Sequence, residues 1–279
     1  PGLGTVKSLE RMREDYRGAR DIPAMFATWR QLELNQRVDR QEAAISAEEW
    51  AACEADYEIE DGASCYLGLD LSSTRDITAL VAVFPQPDDD WWTLEWLFTP
   101  RETMAAREKV DQIPYSSWVR EGHMIATPGR AINYAAIREV LREIRSRWSV
   151  AHLSADPWNA AQFLQELQQP ADPKESPWPV TELRQGFQSM NAPAKELLRR
   201  ISERQIKHRR NPAVGWQRAN LLLLKDARGN VKPGKRRDRE KIDYWSALIN
   251  ATDAAMRLAP VAKKKSIYNS RAPLVLTAG

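Results

Sequence analysis

Three runs of the chain alternate or accumulate apolar residues over strand lengths: YLGLDL from Tyr66, ITALVAVF from Ile77 and WWTLEWLF from Trp91. Turn chemistry in SSTRD and QPDDD separates them, which predicts an antiparallel meander. Mostly helical stretches follow over 101–121. A helix is then expected from about Asn133 to Trp148, where Ala136, Val140, Leu141 and Ile144 recur at three and four. The short run VAHLSA reads as a strand that delivers the chain to Asp156 and Pro157, with a helix over about 159–167 behind it. PVTELRQ is another strand, NAPAKELLRRISE a helix, NLLLLKD a strand or an apolar helix end, and KIDYWSALINATDAAMRL a terminal helix. Three strands followed by alternating helix and strand predict an α/β fold with a mixed sheet flanked by helices.

Residues 1–61 have a different texture. SLERMREDYRGARD has charged helical character, and SAEEWAAC opens with Ser46 three residues before Glu49, the spacing of a capping box. These helices and connectors do not amount to a domain, so 1–61 is expected to be the end of an upstream domain with a helical linker. Residues 62–260 are expected to form the globular unit and 261–279 a partly flexible tail.

With 279 residues, 43% of them hydrophobic and 28% charged, the chain can bury a real core. No stretch reaches the ~20 apolar residues of a membrane span, and PGLGTVKSLERMRED lacks the apolar run of a signal peptide, so a soluble intracellular protein with no membrane partner is expected. Cys53 and Cys65 lack a CxxC or a matching His pair and read as packed thiols. The net charge of +3 conceals a strong asymmetry. Residues 1–61 carry eight basic and fourteen acidic side chains, whereas 195–241 carry sixteen basic and five acidic, concentrated in KHRRNP and KPGKRRDREK. Such a basic segment favours a polyanionic partner.

Three carboxylates stand where the pattern has little use for them: Asp70 inside the first strand, Asp156 at the end of a later one, and Asp243 in the first turn of the last helix. A buried carboxylate without a partner is costly. Taken singly, Asp156 reads as a helix N-cap and Asp243 as an acid favoured by the helix dipole. Gathered at the carboxyl ends of adjacent strands, the three would suit a pair of hard divalent cations, Mg²⁺ or Mn²⁺, because the sequence offers oxygen ligands and few histidines.

Four blocks in register, YLGLDLSSTRDITALVAVF, SADPWNAAQFLQEL, RQGFQSMNAPAKELLRRISERQIKHRRNPAVGW and NLLLLKDARGNVKPGKRRDREKIDYWSALINA, resemble the C-terminal nuclease domain of the large terminase subunits of HK97-like tailed phages. The resemblance implies a ribonuclease H-like fold and a metal-dependent endonuclease that cuts concatemeric viral DNA during packaging. It also implies double-stranded DNA, a terminase small subunit, a portal protein and an upstream ATPase domain as partners, in the cytoplasm of a bacterial host. By matching motif, Asp70, Asp156 and Asp243 are the metal-binding aspartates. Asp76 is a fourth candidate, either at the metal or as a turn residue paired with Arg75. Lys232, Lys235, Arg236, Arg237 and Arg239 lead into Asp243 and are expected to hold backbone phosphates, as are His208, Arg209 and Arg210 of KHRRNP. Taken by itself His208 reads as a surface or structural histidine, and His123 and His152 have no carboxylate or cysteine partners at ligand spacing, so none of the three joins the catalytic set.

The chain contains no GxxxxGK[ST], so it is expected to cut DNA without pumping it. Two other readings remain open at this point. One is a ribonuclease H-like resolvase or transposase core, and the other is a non-catalytic DNA-binding or motor-docking module whose aspartates are structural.

Overall fold

The computed structural model of the chain describes residues 8–19, 29, 33–34, 43–72, 77–158, 160–237 and 240–258. The expected tail over 261–279 and much of 1–61 lie outside these residues. Contacts divide the chain into two compact units, Pro1–Ala43 and Ala44–Gly279. In the first, helix α1 (Leu9–Ala19) is described, and the Tyr16 ring meets Trp29 edge-on at 5.2 Å. Residues 44–61 belong with the second unit, where Ile45, Trp50 and Cys53 enter the core.

The second unit opens with α2 (Ala47–Ala51), whose capping box forms as the sequence predicts: Glu49 N donates to Ser46 Oγ and Ser46 N to Glu49 Oε2. The meander follows as β1 (Ser64–Asp70), β2 (Thr78–Pro85) and β3 (Trp91–Pro100). Helices α3 (Arg101–Asp111) and α4 (Tyr115–Arg120), strand β4 (Ile125–Thr127) and helix α5 (Tyr134–Arg147) lead into β5 (Ser149–Ala155). Then come α6 (Ala161–Gln168), β6 (Val180–Glu182), α7 (Phe187–Ser202), β7 (Ile206–Lys207) and α8 (Pro212–Asn220). A small hairpin, β8 (Leu222–Lys225) with β9 (Val231–Gly234), precedes the final helix α9 (Asp243–Leu258).

Among the described residues, seven strands form one mixed sheet in the order β4-β3-β2-β1-β5-β6, with β7 also on β3. β1, β2 and β3 are mutually antiparallel, whereas β5 runs parallel to β1 and β6 parallel to β5. Both faces are covered, which explains why β2 reads as a continuous apolar run. Ala79, Val81 and Val83 face a core under α2, α7, α8 and α9, while Leu80, Ala82 and Phe84 face a second core under α5 and α6. Tyr244 and Trp245, bulky residues at the start of α9, are fully buried on the first face and meet the Trp50 ring edge-on.

Three local outcomes depart from the sequence pattern. Helix α7 starts one turn before the expected Asn191 and carries Pro193 inside it, with Met190 buried beneath. Pro193 lies past the first turn and so removes one interior N–H bond, within a helix whose buried face includes Met190, Ala194 and Leu197. Strands β4 and β7 are too short to leave a periodic signature and exist because β3 offers them an edge. Helix α8 was legible in principle, since Asn211 caps it by accepting from Ala213 N and Pro212 fills its first turn.

Candidate metal centre at the sheet's carboxyl edge

Strand β1 ends on Asp70, and β5 ends one residue before Asp156. Because Leu69 pairs with Ala155 in a parallel ladder, the next residues on each strand, Asp70 and Asp156, are neighbours across a strand spacing of ~4.8 Å. Alternation then settles their faces. Leu67, Leu69, Leu153 and Ala155 belong to the core under α5 and α6, so Asp70 and Asp156 point to the opposite face, where α9 lies. Helix α9 brings its first residue, Asp243, to the same place.

Two features hold α9 there. Gly68, two residues before Asp70, lets the helix backbone come directly onto the strand. Asn250 Nδ2 donates to the Leu69 carbonyl at 2.9 Å. At the helix start, Tyr244 N donates to Gln217 Oε1 at 2.9 Å, satisfying an N–H that has no partner within the helix.

The three carboxylates affect one another. The Asp70 carboxyl is pushed up to about 8, first by burial and then by the charges of Asp243 and Asp156. Hydrogen bonds from the Ser246 hydroxyl and from Gln185 Nε2, the latter at 3.4 Å, partly oppose this. Ser246 lies one turn after Asp243 on α9, hence on the same helix face, a spacing visible in the sequence. Gln185 comes from the loop after β6 and carries no sequence signal. Asp156 does not cap α6, whose N-cap is Ala160; its Oδ1 accepts instead from Trp158 N at 3.1 Å. Among the described residues, no three His, Cys, Asp or Glu side chains stand close enough to hold a metal ion as they are. The donor types nevertheless suit a hard cation: three neighbouring carboxylates, one of them resisting ionisation first because it is buried and then because the others are charged. Asp76 lies outside the described residues.

The predicted phosphate contacts separate into two places. Lys232 lies over the Phe187 ring at 5.0 Å, and Lys235 and Arg237 are exposed. The backbone N–H groups of Arg236 and Arg237 fold back onto Glu240 Oε2, at 3.0 and 3.3 Å. This loop leads directly to Asp243; Arg239 lies outside the described residues. KHRRNP is elsewhere, following β7 on the outer edge of β3 and thus beyond β2 from the Asp70 strand. Arg210 is exposed there, and Arg209 Nη2 donates to the Tyr57 carbonyl at 2.6 Å. The expectation that His208 contacts DNA is corrected: it is 3% exposed and stacks on Trp50 at 3.7 Å. Its ring nitrogens lie 2.9 Å from the Arg209 and Trp50 carbonyls. It bolts α2 to the sheet, and no face of the ring is open to a phosphate.

A family described as "Terminase large subunit, endonuclease domain" matches residues 1–258. The large terminase subunit of Enterobacteria phage HK97 is 32% identical over 255 residues, covering 91% of this chain and 50% of that protein. The chain therefore spans about half the length of that curated relative. The crystal structure of the HK97 bacteriophage large terminase superposes with a TM-score of 0.69 at 32% identity, over 91% of this chain and 52% of the other. The large terminase nuclease of thermophilic phage G20c gives a TM-score of 0.50 at 13% identity, over 76% of this chain and 97% of the other, a likeness of fold.

Proposed function

We propose, for a chain that belongs to the terminase large-subunit endonuclease-domain family, that it cuts DNA with divalent metal ions held by Asp70, Asp156 and Asp243. The observation that supports this reading is the placing of these residues at one end of the ribonuclease H-like sheet, where burial and then the charges of Asp243 and Asp156 disfavour ionisation of Asp70. Bound there, a pair of Mg²⁺ or Mn²⁺ ions would neutralise the carboxylates and supply Lewis-acid activation at a phosphodiester. Asp70 would serve as the shared ligand, since it is the one whose charge meets both others. Ser246 and Gln185 would hold its carboxyl in position through the hydrogen bonds they already make. Lys232, Lys235, Arg236 and Arg237 would bring a backbone phosphate to the carboxylates without reading sequence.

The natural substrate in this reading is concatemeric viral DNA during genome packaging. The partners would be a terminase small subunit, a portal protein and an upstream ATPase domain; of the linker expected over 1–61, residues 44–61 instead belong with the second unit, whose core holds Ile45, Trp50 and Cys53. The setting would be the host cytoplasm; no helix among the described residues is long and apolar enough to cross a membrane. Asp76 remains a candidate fourth ligand. Supercoiled plasmid incubated with Mn²⁺, Mg²⁺ or EDTA tests the central statement. Nicking should require the metal and vanish in Asp70→Ala; metal-independent cutting, or full activity in that variant, would overturn it.

A further inference from the structure

Of the eleven tryptophans, ten are buried or half-buried, but Trp158 is 87% exposed. A single exposed apolar side chain is ordinary by itself, but this indole stands two residues from a carboxylate of the candidate metal centre, where its open face offers a stacking surface. Hydrogen bonds hold the backbone on either side of it. Pro157 precedes Trp158 and fixes its own φ. The Trp158 amide donates to Asp156 Oδ1 at 3.1 Å. The Pro157 carbonyl accepts from Ala160 N at 3.2 Å and Ala161 N at 3.0 Å, so the turn is closed directly onto the start of α6. The carboxylate of the candidate metal centre is therefore also the group that fixes where the indole emerges.

We propose that Trp158 is a substrate-positioning residue that stacks on a nucleobase beside the phosphate being cut, so that DNA is taken with its bases locally unstacked. This rests on the nuclease reading above. Two residues of chain span at most about 7 Å, so a phosphate brought to Asp156 carries its own nucleotides into reach of the indole. The chemistry selects the base among the parts of DNA. An uncharged π-face beside clustered carboxylates offers nothing to a phosphate, whereas every base has a π-face to match it. A base inside an intact duplex already stacks on its neighbours, so engaging Trp158 requires the strand to open at that step.

The test uses the full chain in EDTA with a 12-nucleotide oligothymidylate and a 12-base-pair duplex, comparing the parent with Trp158→Ala and Trp158→Phe. Iodide should quench a tryptophan component in the parent that is missing in Trp158→Ala, and the oligothymidylate should shield that component. Single-strand affinity should fall about tenfold in Trp158→Ala and be largely retained in Trp158→Phe, within the range that base–aromatic stacking supports. Duplex affinity should change less. With Mn²⁺, Trp158→Ala should cut paired DNA more slowly than the parent and recover on DNA carrying a mismatch bubble. Undiminished iodide quenching in the oligonucleotide complex, or parental single-strand affinity in Trp158→Ala, would overturn the proposal. Failure of the parent to cut with Mn²⁺ would instead sink the nuclease reading, and the metal-free measurements would still decide the role of Trp158. The exposed side chain leaves the melting temperature as a control for folding.

Discussion

Gly68 of β1 lies so close to Ala247 of α9 that a Cβ at Gly68 would sit 2.0 Å from the Ala247 carbonyl oxygen and 2.3 Å from Ala251 N. Both obstacles are backbone, so neither can swing aside. The contact sets how near α9 approaches the sheet, and thereby how near Asp243 comes to Asp70.

Gly68→Ala should accordingly damage stability and the site together. Displacing a buried helix against a central strand is expected to cost about 3 kcal/mol or more, read as a lower urea midpoint. Nicking should fall further than the unfolded fraction accounts for, because the surviving folded molecules hold Asp243 away from Asp70. Parental stability would show that α9 can slide without penalty.

Asp70→Asn separates stability from activity. Folding forces the buried Asp70 carboxyl to hold a proton it would otherwise release, and Asn removes that cost at nearly constant volume, so the metal-free protein should be as stable as the parent or slightly more so. Mn²⁺ should raise the parent's melting temperature by binding the folded state, and raise the variant's much less. Plasmid nicking should fall to background. A metal-free melt several degrees lower in Asp70→Asn would mean that the hydrogen bonds from Ser246 and Gln185 make Asp70 a structural residue.

Glu95 provides a pH test away from the carboxylate cluster. It points to the α9 face of β3, and burial pushes its carboxyl up to about 7 against the hydrogen bond from Asn211 Nδ2 at 3.0 Å and the charge of Arg209. A carboxyl raised on folding contributes stability that is complete below its ordinary value near 4.5 and is lost as pH rises through about 7. Glu95→Gln keeps the acceptor for Asn211 and removes the ionisation. The variant should gain on the parent by about 2 kcal/mol between pH 5 and pH 8, measured by urea unfolding at both. An equal pH dependence in the two proteins would refute this assignment.

The two basic regions should respond differently to substitution. Lys235→Ala with Arg237→Ala should weaken metal-free duplex binding at every sequence and flatten its salt dependence by roughly one to two released counterions. Arg210→Ala, on the outer edge of β3, should change that slope less. An identical slope after the loop substitutions would take 232–237 off the DNA path.

Much of this protein was determined locally and is therefore legible in the chain. Alternation over 66–98 specified the meander, the Ser46–Glu49 spacing specified a cap, and the three-and-four recurrence over 133–148 specified α5, because each depends on residues within a few positions of one another. The four in-register blocks likewise carried the family. The tertiary structure alone decided which distant residues meet. Asp70 and Asp156 become neighbours through the parallel pairing of β1 with β5, and Asp243 joins them because Gly68 and Asn250 seat α9 on that strand. Gln185 reaches Asp70 from 115 residues away with no pattern to announce it. The same logic moved His208 from the DNA to the core: a histidine in a basic run reads as a surface residue until the fold lays Trp50 across it. Periodicity encodes which face of an element is apolar, but which elements share that face depends on packing between segments whose separation in sequence leaves no local trace.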